Sequence, residues 1–188
     1  SGSDLTLSTT GNLGNSGSII AAEALSLSAS TLTSSGNTQA GLGTTVTASV
    51  FENSGLVNGS ATAGYDTVLT VGTLTNKTSG TIQSAGDLTL TVNDALTNDG
   101  EFIADGAIDL RAGNAGTTLV VSNQANGYMG AGTQLTIAGT AGGSNVNVST
   151  QSGILLAGTN IDLKLAGLNS SGVVQAGELH ELLLRAFA

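Results

Sequence analysis

Gly86-Asp87-Leu88-Thr89-Leu90-Thr91-Val92, followed by Leu96-Thr97-Asn98-Asp99-Gly100-Glu101-Phe102-Ile103-Ala104, holds the plan of the whole chain in two halves. The first half alternates apolar and hydroxyl residues, the period of a strand with one buried face. The second half passes through a turn on Asn98-Asp99-Gly100 and enters another short apolar strand. Asn and Gly tolerate the left-handed conformation that tight corners need.

Outward from this stretch the unit repeats. Its inward pairs read as Leu5/Leu7, Leu25/Leu27, Val46/Ala48, Leu69/Val71, Leu88/Leu90, Ile108/Leu110, Leu135/Ile137 and Ile161/Leu163. Their first members are spaced by 20, 21, 23, 19, 20, 27 and 26 residues. The corner recurs as Asn15-Ser16-Gly17 and Asn53-Ser54-Gly55, and more loosely over 76–80, 123–127 and 169–172. A small residue closes the unit at Ala21, Ala104, Ala157 and Ala176. The two long spacings place extra Gly-, Asn- and Ser-rich residues within 113–127 and 138–153, which read as loops bulging from the corners.

A unit of short strands with one apolar face cannot bury that face alone. Stacking coil on coil buries it and pairs the backbone between coils. Gly, Thr, Ser and Asn are poor interior helix formers, and the alternation is every two residues. A leucine-rich repeat needs a longer Leu consensus and a helical or 3₁₀ side, which is absent here. The fold class is therefore all-β: a right-handed parallel β-helix of about nine coils over residues 1–176. At ~4.8 Å per coil the rod is roughly 40–45 Å long. Residues 177–188 form an irregular or helical end. Glu181 falls where an inward residue belongs, while Leu179, Leu182, Leu183 and Ala186 fit helical spacing; a short helix over the last coil and a coil cut in half are the two readings.

Composition agrees with a narrow aliphatic core. Among 188 residues there are 28 Gly, no Pro and no Cys; charged residues are 9% and aromatics 3%. A compact globular domain carries about a quarter charged residues. The net charge is −9, with Lys77, Arg111, Lys164 and Arg185 the only permanent cations. Four scattered cations form no basic stripe, which argues against nucleic acid and anionic lipid as partners. No apolar run reaches the length of a membrane span, so this segment is not expected to insert into a membrane. No signal peptide is visible, and the pattern is already running at Ser3-Asp4-Leu5, which reads as an interior piece of a longer protein. The lack of Cys excludes a disulfide framework and thiolate metal sites, and fits an exported bacterial protein.

The units Gly86-Asp87-Leu88-Thr89-Leu90 and Leu96-Thr97-Asn98-Asp99-Gly100, ending in Ile103-Ala104, resemble the filamentous-haemagglutinin repeat. Related copies over 3–21, 23–40, 72–84 and 160–176 extend the resemblance along nearly the whole chain. That family consists of very large Gram-negative exoproteins exported by two-partner secretion, among them haemagglutinin-type adhesins and contact-dependent growth-inhibition toxins. The resemblance implies a β-helix filament at the cell surface and an outer-membrane secretion partner for the parent protein. It implies a structural or adhesive stalk rather than an enzyme, meeting a host-cell or bacterial-surface receptor or glycan. The family's secretion domain carries Asn-Pro motifs; with no Pro in the chain, this segment is not that domain.

Chemistry-bearing residues are sparse. His180 is the only His and stands beside Glu181 without a nucleophile pattern. Ile-Asp-Leu recurs at Asp109 and Asp162, each followed two residues on by Arg111 or Lys164, which reads as two ion pairs on a solvated face rather than as a lyase site. Asp66, Asp87, Asp94, Asp99 and Asp105 read as turn residues, since the calcium nonapeptide is missing. Thr6, Ser26, Thr47, Thr70, Thr89 and Thr136 read as an outward hydroxyl ladder too irregular for an ice-binding lattice. The Asn-x-Ser/Thr matches at Asn58, Asn76, Asn147 and Asn169 are those a chain this rich in Asn, Ser and Thr contains by chance. No cofactor is expected. Partner contact, as an alternative to a bare stalk, is expected at the inserted loops 113–127 and 138–153, with Tyr128, Asn123, Asn126 and Asn145 as contact residues and Tyr128 as the aromatic anchor.

Overall fold

The computed structural model describes residues 3–177 and shows a parallel β-helix of eight coils. The coils begin at Leu5, Ala24, Gly43, Thr67, Leu88, Ile108, Gln134 and Asn160. Each has three strands, one on each face of the rod. Face one holds the strand that opens the coil, as at Ile108–Ala112, and face two the next, as at Leu119–Asn123. In coils 2 to 5 these two run on as one long strand, as at Leu88–Asn98. Face three follows the Asn-x-Gly corner, as at Glu101–Ala104 and Tyr128–Ala131. Every strand pairs in parallel with its counterparts in the adjacent coils. Eight coils at ~4.8 Å give a rod about 40 Å long. Eight coils fill residues 5–176, where about nine were expected, because the two insertions and their strands belong to coils 6 and 7; the terminal helix and the His180–Glu181 pair fall outside the described residues.

The core is the file of inward side chains on all three faces. Leu88, Leu90, Val92, Leu96 and Phe102 of coil 5 are each fully buried, as are Ile108, Leu110, Leu119, Val121 and Met129 around coil 6. The small residue at the end of face three forms its own file: Ala21 pairs with Ala40, Ser84 with Ala104, Ala104 with Ala131, and Ala131 with Ala157. A small side chain there lets the chain turn tightly back to face one.

The inward register differs from the sequence expectation in coils 3 and 4. Leu25 and Leu27 pair with Thr44 and Val46, and Thr44 pairs in turn with Thr67. The first inward positions of these coils are therefore Thr44 and Thr67, not Val46 and Leu69. Both threonines are buried, and neither hydroxyl has a hydrogen-bond partner. The outward hydroxyl ladder is corrected along with them. It runs Thr6, Ser26, Thr45, Val68, Thr89, Asp109, Thr136, Asp162, while Thr47 and Thr70 belong to a neighbouring row.

The corner between faces two and three holds the fold's polar spine. Asn15, Ser34, Asn53, Asn76, Asn98, Asn123, Thr150 and Ser170 stack there, one per coil. Asn53 Nδ2 donates to Asn76 Oδ1 at 2.9 Å, Asn76 to Asn98 at 2.9 Å, and Asn98 to Asn123 at 2.8 Å. Each amide also donates to corner carbonyls: Asn76 to Gly80 O and Glu101 O, Asn98 to Tyr128 O. All four are completely buried. A buried amide is tolerated only when its groups are paired, and the coil spacing lets each rung pair with the next. Ser34, Thr150 and Ser170 are hydroxyl rungs; at the first corner Asn15 Nδ2 donates to Thr38 Oγ1 on face three, and at the last Thr150 Oγ1 donates to Ser170 Oγ. In the last corner the rung is Ser170; Asn169 points outward.

The same corner needs glycine because successive backbones nearly touch. A Cβ on Gly100 would stand 2.2 Å from Gly80 O and 2.4 Å from Lys77 O, closer than any side-chain carbon can sit. The turn-forming Asn-x-Gly of the sequence thus does two things: Asn fills the interior and Gly keeps the exterior of the bend flat.

Candidate interaction surfaces

The expected loops are shorter than the sequence suggested, because each conceals a strand. Leu119–Asn123 and Val146–Thr150 are regular face-two strands. The true insertions are residues 113–118 and 139–145, both at the corner between faces one and two in successive coils. They lock onto each other. Asn145 Nδ2 donates to Asn114 O at 3.0 Å and to Thr117 O at 2.8 Å, and its Oδ1 accepts from Thr140 N at 2.9 Å. Thr140 Oγ1 also donates to Ala112 O at 3.2 Å. The second insertion turns through a single 3₁₀ turn, Thr140–Gly142, where Ala141 adopts φ 52° and Gly142 φ 77°.

The four expected contact residues do not come together. Asn145 is engaged in holding the insertions. Asn123 is a correction: it is a fully buried rung of the spine, donating to Gly127 O and Ile154 O, and offers nothing to a partner. Asn126 stands exposed at the corner between faces two and three, where its backbone N and Nδ2 donate to Asp99 Oδ1. Tyr128 lies on face three, across face two from the insertions, so it is not their aromatic anchor. It is half-buried, its ring lying over Gly130: a Cβ there would meet Tyr128 Cε1 and Oη at 2.4 Å. The most exposed aromatic among the described residues is Tyr65, 45% accessible, in a third insertion at residues 61–66. The sequence signal for it is the spacing of 23 residues between Val46 and Leu69, which on its own resembles ordinary variation.

The charged groups serve the coil. Arg111 Nε lies 2.8 Å from Asp109 and Lys164 Nζ 3.5 Å from Asp162, the two ion pairs expected on face one. Lys77 pairs with Glu52 at 2.8 Å on face two. All three are solvated and contribute little. Asp66 and Asp87, at the corner between faces three and one, accept the backbone N–H of Asp87 and Ala107 in the following coil, at 2.9 and 2.7 Å. Asp99 accepts from the hydroxyl of Thr78 and from Asn126. The Thr78 bond holds the Asp99 carboxyl below the usual carboxylate range; desolvation opposes this, and the Asn126 bonds reinforce it. Among the described residues no three His, Asp or Glu side chains converge as a metal site, and no helix is long and apolar enough to cross a membrane.

Face three carries an open recess. A cleft of about 230 Å³ is lined by Asn58, Ser60, Ala61, Gln83, Ser84, Ala85, Ile103 and Asp105. It lies beside the one register break of face three among the described residues, a bulge between Asn58 and Ser60. The extra residue is Gly59, where a Cβ would clash with Thr67 Oγ1 at 2.3 Å.

The coil geometry and the buried corner ladder agree with comparison by family. The haemagglutinin repeat model matches residues 1–62 and again residues 45–185, together nearly the whole chain. No curated protein and no solved structure is found to match it. The chain belongs to the haemagglutinin repeat family.

Proposed function

We propose that this chain is a stalk segment of a large secreted bacterial surface exoprotein, either a haemagglutinin-type adhesin or a contact-dependent growth-inhibition protein. The observation that carries the reading is the unbroken spine of stacked corner residues through all eight coils. A rod whose interior repeats while its insertions stay outside is built to hold distance. In this reading the parent leaves the cell through an outer-membrane secretion partner, and its working ends meet a receptor or glycan on a host or neighbouring bacterium. The segment itself does no chemistry.

Excision of one whole coil tests this. Ser18 pairs with Asn37, so removing residues 18–36 joins Gly17 to Asn37 without changing any register. The shortened exoprotein, checked for secretion and folding, is expected to retain adhesion or toxin delivery with a shorter reach. Loss of that activity in a folded, exported protein refutes the spacer role.

A second reading places partner contact on the paired insertions. It is favoured by their stacking at one corner and by Val120, 51% exposed on the strand between them. Deleting 113–118 and 139–145 together abolishes binding to target cells if this reading is right, and leaves it intact if the segment is a spacer alone.

A further inference from the structure

We propose that the face-three cleft and the shelf beside it bind a neutral oligosaccharide lying along the rod axis. The inference does not depend on the stalk reading. Four observations carry it.

The first is a row of free carboxamides. Gln39, Asn58 and Gln83 are register neighbours on three successive coils and point outward from face three. In the interior ladder Asn53, Asn76, Asn98 and Asn123 are bonded rung to rung, yet none of these three side chains has a hydrogen-bond partner among the described residues. Each therefore presents a donor and an acceptor, the pair a vicinal diol of a sugar satisfies. Asp105 adds a carboxylate at the rim of the cleft, also without a partner among the described residues.

The second is the shelf that continues the row. Ile103 follows Gln83, and Gly130 follows Ile103. The ring of Tyr128 fills the place the Gly130 side chain leaves open. It stands two coils, ~10 Å, from Gln83. An aromatic ring with a polar tip beside free amides suits the apolar face and hydroxyl edge of a pyranose.

The third is irregularity in the right place. The bulge at Gly59 and the insertion at 61–66 both fall at this cleft, and bulges and insertions in regular β-structures gather where side chains must be re-aimed.

The fourth is charge. The nearest charged groups on this face are Glu101 and Asp105, whereas Lys77, Arg111 and Lys164 sit in ion pairs elsewhere on the rod. Sulfated or uronic polymers are thus repelled, and uncharged sugars are not.

The test uses the 188-residue chain with cellotetraose, chitotetraose, mannotetraose and a heparin tetrasaccharide, read by saturation-transfer NMR and calorimetry. At least one neutral tetrasaccharide is expected to bind. Gln83→Ala and Asn58→Ala, both on the surface, each weaken it about tenfold. Tyr128→Ala weakens it as well, while Thr97→Ala on face two changes nothing. Circular dichroism confirms that each variant is folded. The proposal is overturned if no neutral sugar binds at millimolar concentration, if binding survives the Asn58→Ala/Gln83→Ala double variant, or if heparin binds more tightly than every neutral sugar. Loss of binding on removal of the 113–118 and 139–145 insertions with the cleft intact also overturns it, because it moves the site to the other corner.

Discussion

Replacing Asn98 by Ala strikes the spine at its middle rung. Asn98 accepts from Asn76 Nδ2 at 2.9 Å and donates to Asn123 Oδ1 at 2.8 Å and to Tyr128 O at 3.2 Å. After the substitution Asn76 still donates to Gly80 O and Glu101 O, so its amide remains satisfied. Asn123 Oδ1 is left buried without a donor. An unsatisfied buried group costs about 1–3 kcal/mol. The space vacated by the amide adds to this, giving an expected loss of about 3–4 kcal/mol. Asn123→Ala is the matched comparison, since Asn123 is equally buried but no further Asn lies beyond it to be orphaned. Its cost is expected to be about 1 kcal/mol smaller. Asn98→Asp gives a second readout. Burial raises a carboxyl's pKa. A folded value above the unfolded one means the penalty is full at neutral pH. It is relieved as the pH falls through the folded value, where the protonated carboxyl of the variant can donate to Asn123. This variant therefore gains stability on mild acidification while the parent chain does not. Because solenoids unfold in segments, the assay is native-state amide exchange at Glu101 and Tyr128, whose N–H groups bond Gly80 O and Gly100 O. A cost below ~1 kcal/mol for Asn98→Ala, or equal costs at 98 and 123, refutes the view that the ladder rather than the corner backbone holds the coils together.

Thr67→Val removes a buried hydroxyl that has no partner and keeps the side-chain shape, so it is expected to stabilise by about 1 kcal/mol, seen as a higher urea midpoint; a lower midpoint means that the hydroxyl is satisfied. Gly100→Ala forces a Cβ against two carbonyls and is expected to cost about 3 kcal/mol and expose the neighbouring corners to exchange. Asp99 has a lowered pKa, so its contribution is present above the ordinary carboxylate range and disappears as the pH falls through the lowered folded value. Asp99→Asn should therefore flatten the acid limb of the stability profile, and a limb unchanged by the substitution contradicts the role given to the Thr78 and Asn126 bonds.

The coil and its three turning points are legible in the sequence because they repeat. Leu5/Leu7, Leu25/Leu27, Leu88/Leu90, Ile108/Leu110, Leu135/Ile137 and Ile161/Leu163 are all inward pairs in one register. Coils 3 and 4 depart from the sequence reading by two residues. A shift of two preserves which residues face inward, so alternation cannot detect it. Thr44 and Thr67 also look like outward residues, since nothing in the sequence marks a threonine as buried. The inserted loops look too long in the sequence because Leu119/Val121 and Val146/Val148 are short apolar pairs flanked by Gly, Asn and Ser. Asn123 looks like a surface residue because Asn before a turn reads as exposed. Only stacking against Asn98 shows that it is inside.

The position of Asn123 explains how a repetitive rod acquires a local function. Asn occurs in this chain in two settings with opposite consequences. At the inner corner, Asn53, Asn76, Asn98 and Asn123 have their amides bonded, and a change there costs the fold. On face three, Asn58 with Gln39 and Gln83 has its carboxamide free, and a change there leaves the coil register untouched. The same separation holds for the insertions, which leave the strands on both sides of them in register with their neighbours. Stability in such a rod resides in its inward files and corners. Its outer rows can vary coil by coil without a penalty in the core, so recognition is to be sought where the outer rows depart from Thr and Ser. Among those departures in this chain are the Gln39–Asn58–Gln83 row with its Tyr128 shelf and the insertions locked by Asn145.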